Sequence, residues 1–297
     1  MSSKTSVSGF RTRMNNALAP IAQRILSDKL YLEVKYYSRF SRKIDWKNPL
    51  TFNEKLNWLK LYYHDTKLTT MADKYAVKEL VSQIIGEEYV VPCYGVYKSI
   101  DEIDFPNLPD KFVIKATHDS SGALVCKDKS NLDIESVRAK YAKILKRNWY
   151  YSSREWVYKN IPPRIIVDKY LDDGRHGELQ DYKFWCFNGE PTYMYITNKG
   201  ASIFENFYDM DFNPVDIDHG FPRTNPEYEK PVGFELMKEL AGKLSQGIPF
   251  VRVDFFDVAG KIYFGEFTFY DWAGLKPFAN EKWDRELGNR IILPLKK

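Results

Sequence analysis

Alternating helix-like and strand-like patterns predict an α+β protein. Three observations carry that expectation. Short apolar or alternating runs such as 111–117 (KFVIKAT) and 181–187 (DYKFWCF) are bounded by turn residues, as strands are. Other segments repeat apolar residues at helical spacing, for example Val77, Leu80, Val81 and Ile84. Facing strand candidates meet at turn dipeptides, Asn188-Gly189 and Ala259-Gly260.

In chain order, residues 1–45 read as a loose basic helical arm. Thr51 and Glu54 have capping-box spacing, and Phe52, Leu56 and Leu59 continue in helical phase. Asp73 opens a second helix that Gly86 ends. Residues 89–97 read as extended, 111–117 as a buried strand, and 123–127 as its hairpin partner across the small polar loop His118-Asp119-Ser120-Ser121-Gly122. A helix carries Ile134, Val137, Tyr141 and Ile144, and 164–171 (RIIVDKYL) is a further strand. A hairpin spans 181–187 and 191–197, a helix carries Phe234, Met237, Ala241 and Leu244, and a last hairpin joins 251–257 to 262–269.

The chain has 297 residues, 44% hydrophobic and 28% charged, which is a globular composition and excludes a disordered or collagen-like chain. Its longest stretch without Asp, Glu, Lys or Arg is Met14 to Gln23, half of what a membrane-spanning helix needs. No apolar stretch follows the first Lys, so no secretory leader is expected and a cytoplasmic location is. Cys93, Cys126 and Cys186 lie far apart without CxxC spacing, which argues against a disulfide framework or structural zinc. Residues 1–60 hold 12 Lys and Arg against 4 Asp and Glu, whereas the remainder holds 32 against 36. A basic arm on a near-neutral body suggests an anionic partner, and peripheral contact of residues 1–47 with an anionic membrane is one expectation. Nucleic acid is not expected, because the body has no basic stripe and no zinc-finger or RNP-type motif.

The last hairpin, VRVDFFDVAGKIYFGEFTF, holds the most chemistry. Val251, Val253 and Phe255 share one strand face, and Arg252 and Asp254 share the other. A three-residue turn would set Asp254 opposite Glu266, and a two-residue turn would set it opposite Gly265. Paired carboxylates repel unless a cation lies between them, and oxygen-only ligands suit Mg²⁺. A surface Arg–Asp pair is the alternative. Lys115 lies off the apolar face of its strand, just before the small loop, whose backbone N–H groups could cradle phosphate; Lys183 has a similar place. Either lysine could instead snorkel from a strand edge. Asp209-Met-Asp211 is a DxD of the kind that holds metal in glycosyltransferases, and His118 and His176 are loop acid/base candidates. No GxGxxG or Walker A sequence is present.

The order of these pieces resembles the ATP-grasp fold: a strand Lys with a small-residue loop, a hinge strand ending in an acid, another strand Lys, then R-x-D and a second acid. More closely, the chain resembles the TupA-like ATP-grasp family of surface-polysaccharide gene clusters, named for teichuronopeptide synthesis. The marks are LTFNEKLNWLK (50–60), DKYAVKE (73–79), LPDKFVIKATH (108–118), REWVYKNIPPRIIVDKYL (154–171), DYKFWCFNG (181–189) and VRVDFFDVAGKIYFGEFTFY (251–270). The resemblance implies two α+β lobes clasping ATP, at 91–171 and 172–297, after a helical region at 1–90. It implies that Lys115 and Lys183 meet phosphates, that His118, Ser120, Ser121 and Gly122 close over them, and that Asp168, Lys169, Tyr170 and Leu171 hold adenine and ribose. It further implies that Asp254, Glu266 and Thr268 hold Mg²⁺ and that Arg252, with Lys183, serves the reacting phosphoryl group. Many ATP-grasp enzymes carry Asn where this chain has Thr268. The implied activity is an ATP- and Mg²⁺-dependent carboxylate–amine ligase working through an acyl phosphate, joining an amine or amino acid to a sugar carboxylate such as a uronic acid, free or lipid-linked. Two other readings stand beside it: a metal-dependent glycosyltransferase using Asp209 and Asp211, and a catalytically silent ATP-grasp-shaped binding module.

Overall fold

The computed structural model describes residues 25–120, 122–172, 174, 179–197 and 203–295. Among the described residues four helices come first: α1 (Asp28–Phe40), α2 (Phe52–Tyr62), α3 (Thr66–Ala72) and α4 (Ala76–Ile85). The expected capping box forms at α2: the Thr51 hydroxyl accepts from Glu54 N–H, and the Glu54 carboxylate accepts from Thr51 N–H at 3.1 Å. Asp73 caps the start of α4 from outside it, its Oδ1 accepting from Tyr75 N–H at 2.9 Å, and Gly86 ends the helix at φ +117°.

A four-stranded antiparallel sheet follows, in the order β1–β4–β2–β3, from β1 (Cys93–Tyr97), β2 (Phe112–Ala116), β3 (Leu124–Cys126) and β4 (Ile165–Lys169). One face buries Phe112, Ile114, Ala116, Ile165 and Val167 against α5 (Ile134–Leu145) in a core of its own. Tyr141 of α5 donates to the Ile114 carbonyl at 2.7 Å. The other face carries Lys115 and Asp168. A short helix α6 (Tyr150–Ser153) lies in the connection to β4.

The second sheet has six antiparallel strands in the order β10–β9–β5–β6–β7–β8. They are β5 (Asp181–Phe187), β6 (Glu190–Thr197), β7 (Glu205–Asp209), β8 (Pro214–Val215), β9 (Phe250–Val258) and β10 (Lys261–Thr268). Both predicted hairpin turns have two central residues at positive φ, Asn188 and Gly189 at 52° and 91°, Ala259 and Gly260 at 52° and 89°. That geometry matches the twist of antiparallel strands. Helix α7 (Phe234–Ser245) covers one face through Phe234 on Phe184. On the other face, α2 sets Phe52 against Trp185 and Phe250, at ring separations of 5.4 and 4.9 Å. The last helix, α8 (Glu281–Arg290), packs on α2, where Asp284 accepts from the Asn53 N–H at 2.9 Å.

One hydrophobic core therefore joins α2, α3 and α4 to the six-stranded sheet, and the four-stranded sheet keeps a separate one. Along the α2 face of the large sheet the cross-strand pairs run Phe187–Phe250, Trp185–Arg252, Lys183–Asp254. The apolar end lies under α2, and the charged end is left facing the small sheet. The cleft opens there.

Candidate active site

The register of the last hairpin decides the site. A two-residue turn alone would pair Asp254 with Gly265. Instead the ladder skips Gly265: Phe264 pairs with Phe255, and Glu266 pairs with Asp254. This is a bulge, and it restores the carboxylate pairing that a three-residue turn would have given. A Cβ on Gly265 would lie 3.1 Å from the Asp254 carbonyl oxygen, so glycine lets the strands close at that point.

Around that pair the charges interlock. Arg252 Nε and one terminal nitrogen donate to the two Asp254 oxygens at 2.7 and 2.8 Å, a fork on a carboxylate. Its other terminal nitrogen donates to Asp271 at 2.7 Å and to the Tyr195 hydroxyl at 3.1 Å. Lys183 Nζ donates to Asp254 at 2.7 Å and lies 3.4 Å from Asp181. Burial disfavours the charge on Asp254, but Arg252 and Lys183 outweigh it and hold its pKa below the usual carboxylate range. Burial likewise opposes the Lys183 charge, and Asp254 more than restores it. Glu266 differs: its side chain is 43% exposed against 3% for Asp254, with Arg252 at 3.4 Å. It is the carboxylate an incoming ligand can reach.

The small sheet contributes Lys115, whose Nζ donates to Asp168 Oδ2 at 3.0 Å. Ser120 and Gly122 line the cleft from the loop, and Ser121 and His176 lie outside the described residues. The space between the sheets has a cavity volume of about 250 Å³ and an open mouth.

Two lysines that sequence reasoning passed over also line it. Lys78 of α4 reaches Asp168 Oδ1 at 2.9 Å, and Lys74, in the turn before α4, donates to the Asp119 carbonyl at 3.0 Å. Their spacing in DKYAVKE, four residues apart, was the available signal; it reads equally well as a solvated helix face. Asp271 and Tyr195 were missed too, since only the fold brings them to Arg252.

Other expected residues sit elsewhere. His118 is buried, its Nε2 lies 3.2 Å from the Ile144 carbonyl, and burial lowers its pKa, so a neutral ring packs against the end of α5 and not in the cleft. Lys169 is exposed and its N–H is taken by the Pro92 carbonyl at 2.8 Å. Tyr170 stacks under Lys111 at 5.7 Å, and Leu171 follows on the way out of the sheet; of the hinge segment only Asp168 lines the cleft. Thr268 pairs with Arg252 in register and does not line the cleft. Asp209 is spent on the β7–β8 turn, accepting from Asp211 N–H at 2.9 Å and from Asn213 N–H at 2.8 Å. The three cysteines are free thiols.

Among the described residues no three His, Cys, Asp or Glu groups cluster as a metal cage. Mg²⁺, however, is commonly held by one or two carboxylates together with substrate phosphates. Asp254 and Glu266, facing each other and flanked by lysines, fit that mode.

Two antiparallel sheets closing on a lysine-lined cleft with an acid pair on the larger sheet define the ATP-grasp class of fold. The family model TupA-like ATPgrasp matches residues 54–292, and the chain belongs to that family. Among solved structures it is similar to D-alanine–D-alanine ligase from Bacillus anthracis complexed with ATP, at 14% identity over 68% of this chain and 56% of that one, TM-score 0.40. It is also similar to D-alanine–D-alanine ligase from Helicobacter pylori, at 15% identity over 75% and 61%, TM-score 0.43. A third is the ATP-grasp ligase PsnB with a precursor variant, Mg and ADP, at 9% identity over 73% and 56%, TM-score 0.39. The chain thus spans little more than half the length of these ligases, and the likeness is one of fold. No curated protein sequence matches the chain.

Proposed function

We propose that the chain is an ATP- and Mg²⁺-dependent ligase that joins a carboxylate to an amine. One observation carries the reading: lysines from both sheets and from the helical region converge on one cleft beside a reachable, arginine-braced acid pair. Family membership agrees with it.

Bound ATP with Mg²⁺ would supply the phosphoryl group that activates the carboxylate as an acyl phosphate, leaving ADP, and attack of the amine on the acyl carbon would then release phosphate. This chain's residues position and neutralise charge, which is what phosphoryl transfer asks of a protein. Lys115 and Lys183 offset phosphate charge from opposite walls. Asp254 and Glu266 would hold the metal, with Glu266 free to turn toward it. Arg252 locks Asp254 through its fork and is itself locked by Asp271, so the pair is preorganised. Ser120 and Gly122 border the phosphate side.

The family's setting favours a sugar carboxylate, such as a uronic acid, and an amino acid or related amine. The test is ADP release across a grid of uronates and amino acids, with UDP-sugar binding as the counter-assay. Release that requires both partners supports the ligase. ATP binding with no release across the grid supports a silent module, and UDP-sugar binding without ATP binding supports a glycosyltransferase.

Peripheral membrane contact through residues 1–47 belongs to this reading. Residues 1–24 lie outside the described ones; α1 buries Tyr31, Leu32 and Tyr36 in the body and exposes Leu30, Val34 and Tyr37. No described helix is long and apolar enough to cross a membrane. Salt-sensitive co-sedimentation with anionic vesicles, lost when the chain starts near Lys47, is the expected result.

A further inference from the structure

The chain that leaves β10 makes a turn that costs conformational energy. Trp272, Ala273 and Gly274 take φ of 47°, 55° and 57°, and the first two are not glycine. Helix α2 clamps this turn. Lys60 donates to the Ala273 carbonyl at 2.6 Å, Asn57 to the Gly274 carbonyl at 2.7 Å and Asn53 to the Lys276 carbonyl at 3.2 Å. The turn holds out an indole: Trp272 is 45% exposed, whereas Trp46, Trp58, Trp185 and Trp283 are buried. Strained backbone that its surroundings hold in place is characteristic of ligand sites.

Two further side chains complete a shelf there. Phe221, from the connection between β8 and α7, lies 5.5 Å from the Trp272 ring with the planes 31° apart. The Lys276 ammonium stands 3.4 Å from the Phe221 ring centre and 4.2 Å from that of Trp272. Glu205, Asp271 and Asp218 favour its charge, yet burial outweighs them and lowers its pKa. Three carboxylates acting on one cation make the shelf a poor place for an anion and leave Lys276 as a donor to neutral oxygens. The shelf also adjoins the acid pair. Asp271, next to Trp272, accepts from Arg252 at 2.7 Å, and Arg252 forks on Asp254, which faces Glu266. It lies outside the lysine-lined cavity, whose walls include none of Phe221, Trp272 or Lys276.

We propose that Trp272, Phe221 and Lys276 form the subsite for the pyranose ring of the carboxylate substrate. An indole offers a flat apolar surface, and a pyranose has an apolar C–H face with hydroxyls around its rim. The C–H face lies on Trp272, and Lys276 donates to the hydroxyls. The sugar carboxylate points away from the acidic surroundings of the shelf, toward Arg252 and the metal-holding pair. This rests on the ligase reading above and adds to it a place and an orientation for the sugar.

The test is saturation-transfer difference NMR on the full chain, with and without Mg²⁺ and a non-hydrolysable ATP analogue. The separate probes are D-glucuronate, methyl α-D-glucopyranoside, uridine and glycine. Saturation should reach the ring protons of both sugars, and glucuronate should shield Trp272, the one exposed tryptophan among the described residues, from acrylamide quenching. Trp272→Ala should weaken both sugars by about tenfold or more and the ATP analogue by less than about threefold, and Trp272→Phe should recover part of the loss. Lys276→Met, which keeps an apolar stem against the rings, should also weaken both sugars, and it carries the test if Trp272→Ala does not fold. Transfer to uridine or glycine without the sugars, transfer to no probe, or equal transfer in wild type and Trp272→Ala overturns the subsite. Loss of glucuronate alone in Lys276→Met overturns the orientation. Sugar binding on the shelf by a protein that binds no ATP analogue overturns the ligase reading instead, which is a different result.

Discussion

Lys60 offers a prediction in which sign and size both follow from the structure. It is 2% exposed, and its ammonium donates to the Ala273 carbonyl at 2.6 Å and the Ser153 carbonyl at 3.0 Å. Those bonds clamp a turn in which Trp272, Ala273 and Gly274 take φ of 47°, 55° and 57°, immediately after the Asp271 that holds Arg252. Burial pulls the Lys60 pKa from 10.5 down to about 8, against the opposing charge of Glu155. The unfolded chain thus binds this proton more tightly than the folded one, and stability rises with pH from about 8 to about 10.5 as the buried charge is lost. The full gap corresponds to about 3 kcal/mol, and about 2 kcal/mol of it falls between roughly pH 7.5 and 9.5. Lys60→Met removes the titration but leaves two buried carbonyls without a donor, at about 1–3 kcal/mol each. The wild type should therefore gain about 2 kcal/mol on the mutant across that interval, read by urea unfolding followed by circular dichroism. Subtraction cancels the cysteines and tyrosines common to both. A stability difference that stays flat, or that falls with pH, refutes the buried-ammonium argument.

Three further outcomes follow from the same geometry. Glu266→Gln should keep the fold, since the side chain is substantially exposed, and lose Mg²⁺-dependent ADP formation by about a hundredfold or more; near-normal turnover would remove Glu266 from the site, and loss through Asp209→Asn instead would favour the glycosyltransferase. Lys115→Met and Lys183→Met should both weaken ATP binding but part on stability. Lys78 still holds Asp168 when Lys115 is gone, whereas removing Lys183 leaves Asp254 and Asp181 short of a cation, so only the second should lower the melting temperature of the unliganded protein. Gly265→Ala should push a methyl group to 3.1 Å from the Asp254 carbonyl, costing about 1–3 kcal/mol of stability and a larger share of activity, because the strand that must yield carries Asp254. Unchanged activity would mean that the bulge does not set the acid pair.

Much of the architecture could be read locally. The capping box at Thr51, the hairpin turns at Asn188 and Ala259, and the helices ending near Ile85 and Leu145 depend on residues within a few positions of each other. Strands β7 and β8 and helices α3 and α8 were not read, being short or weakly patterned. Lys115, Lys183, Arg252, Asp254 and Glu266 were legible as charged strand positions, although Lys183, Arg252 and Asp254 share their face with Trp185 and Phe250 of the core and not a solvent face. Whether they meet was not legible. His118 shows the converse: a histidine opening a small polar loop looks functional in the sequence, but the fold turns its ring under α5.

The sequence by itself determined most of the longer helices and strands, the turns at Asn188-Gly189 and Ala259-Gly260 and the candidate charges, because propensity, capping and side-chain alternation act over a few residues. It left two pairings of the last hairpin open, and a glycine close enough to a neighbouring strand to need no Cβ resolved them through a bulge. Only the tertiary structure could bring Lys74 to Glu266 across 192 positions, or Asp271 to Arg252 through a turn clamped from α2. Those contacts are chosen by which faces two separate cores can bury, and the charges left over at their seam become the cleft.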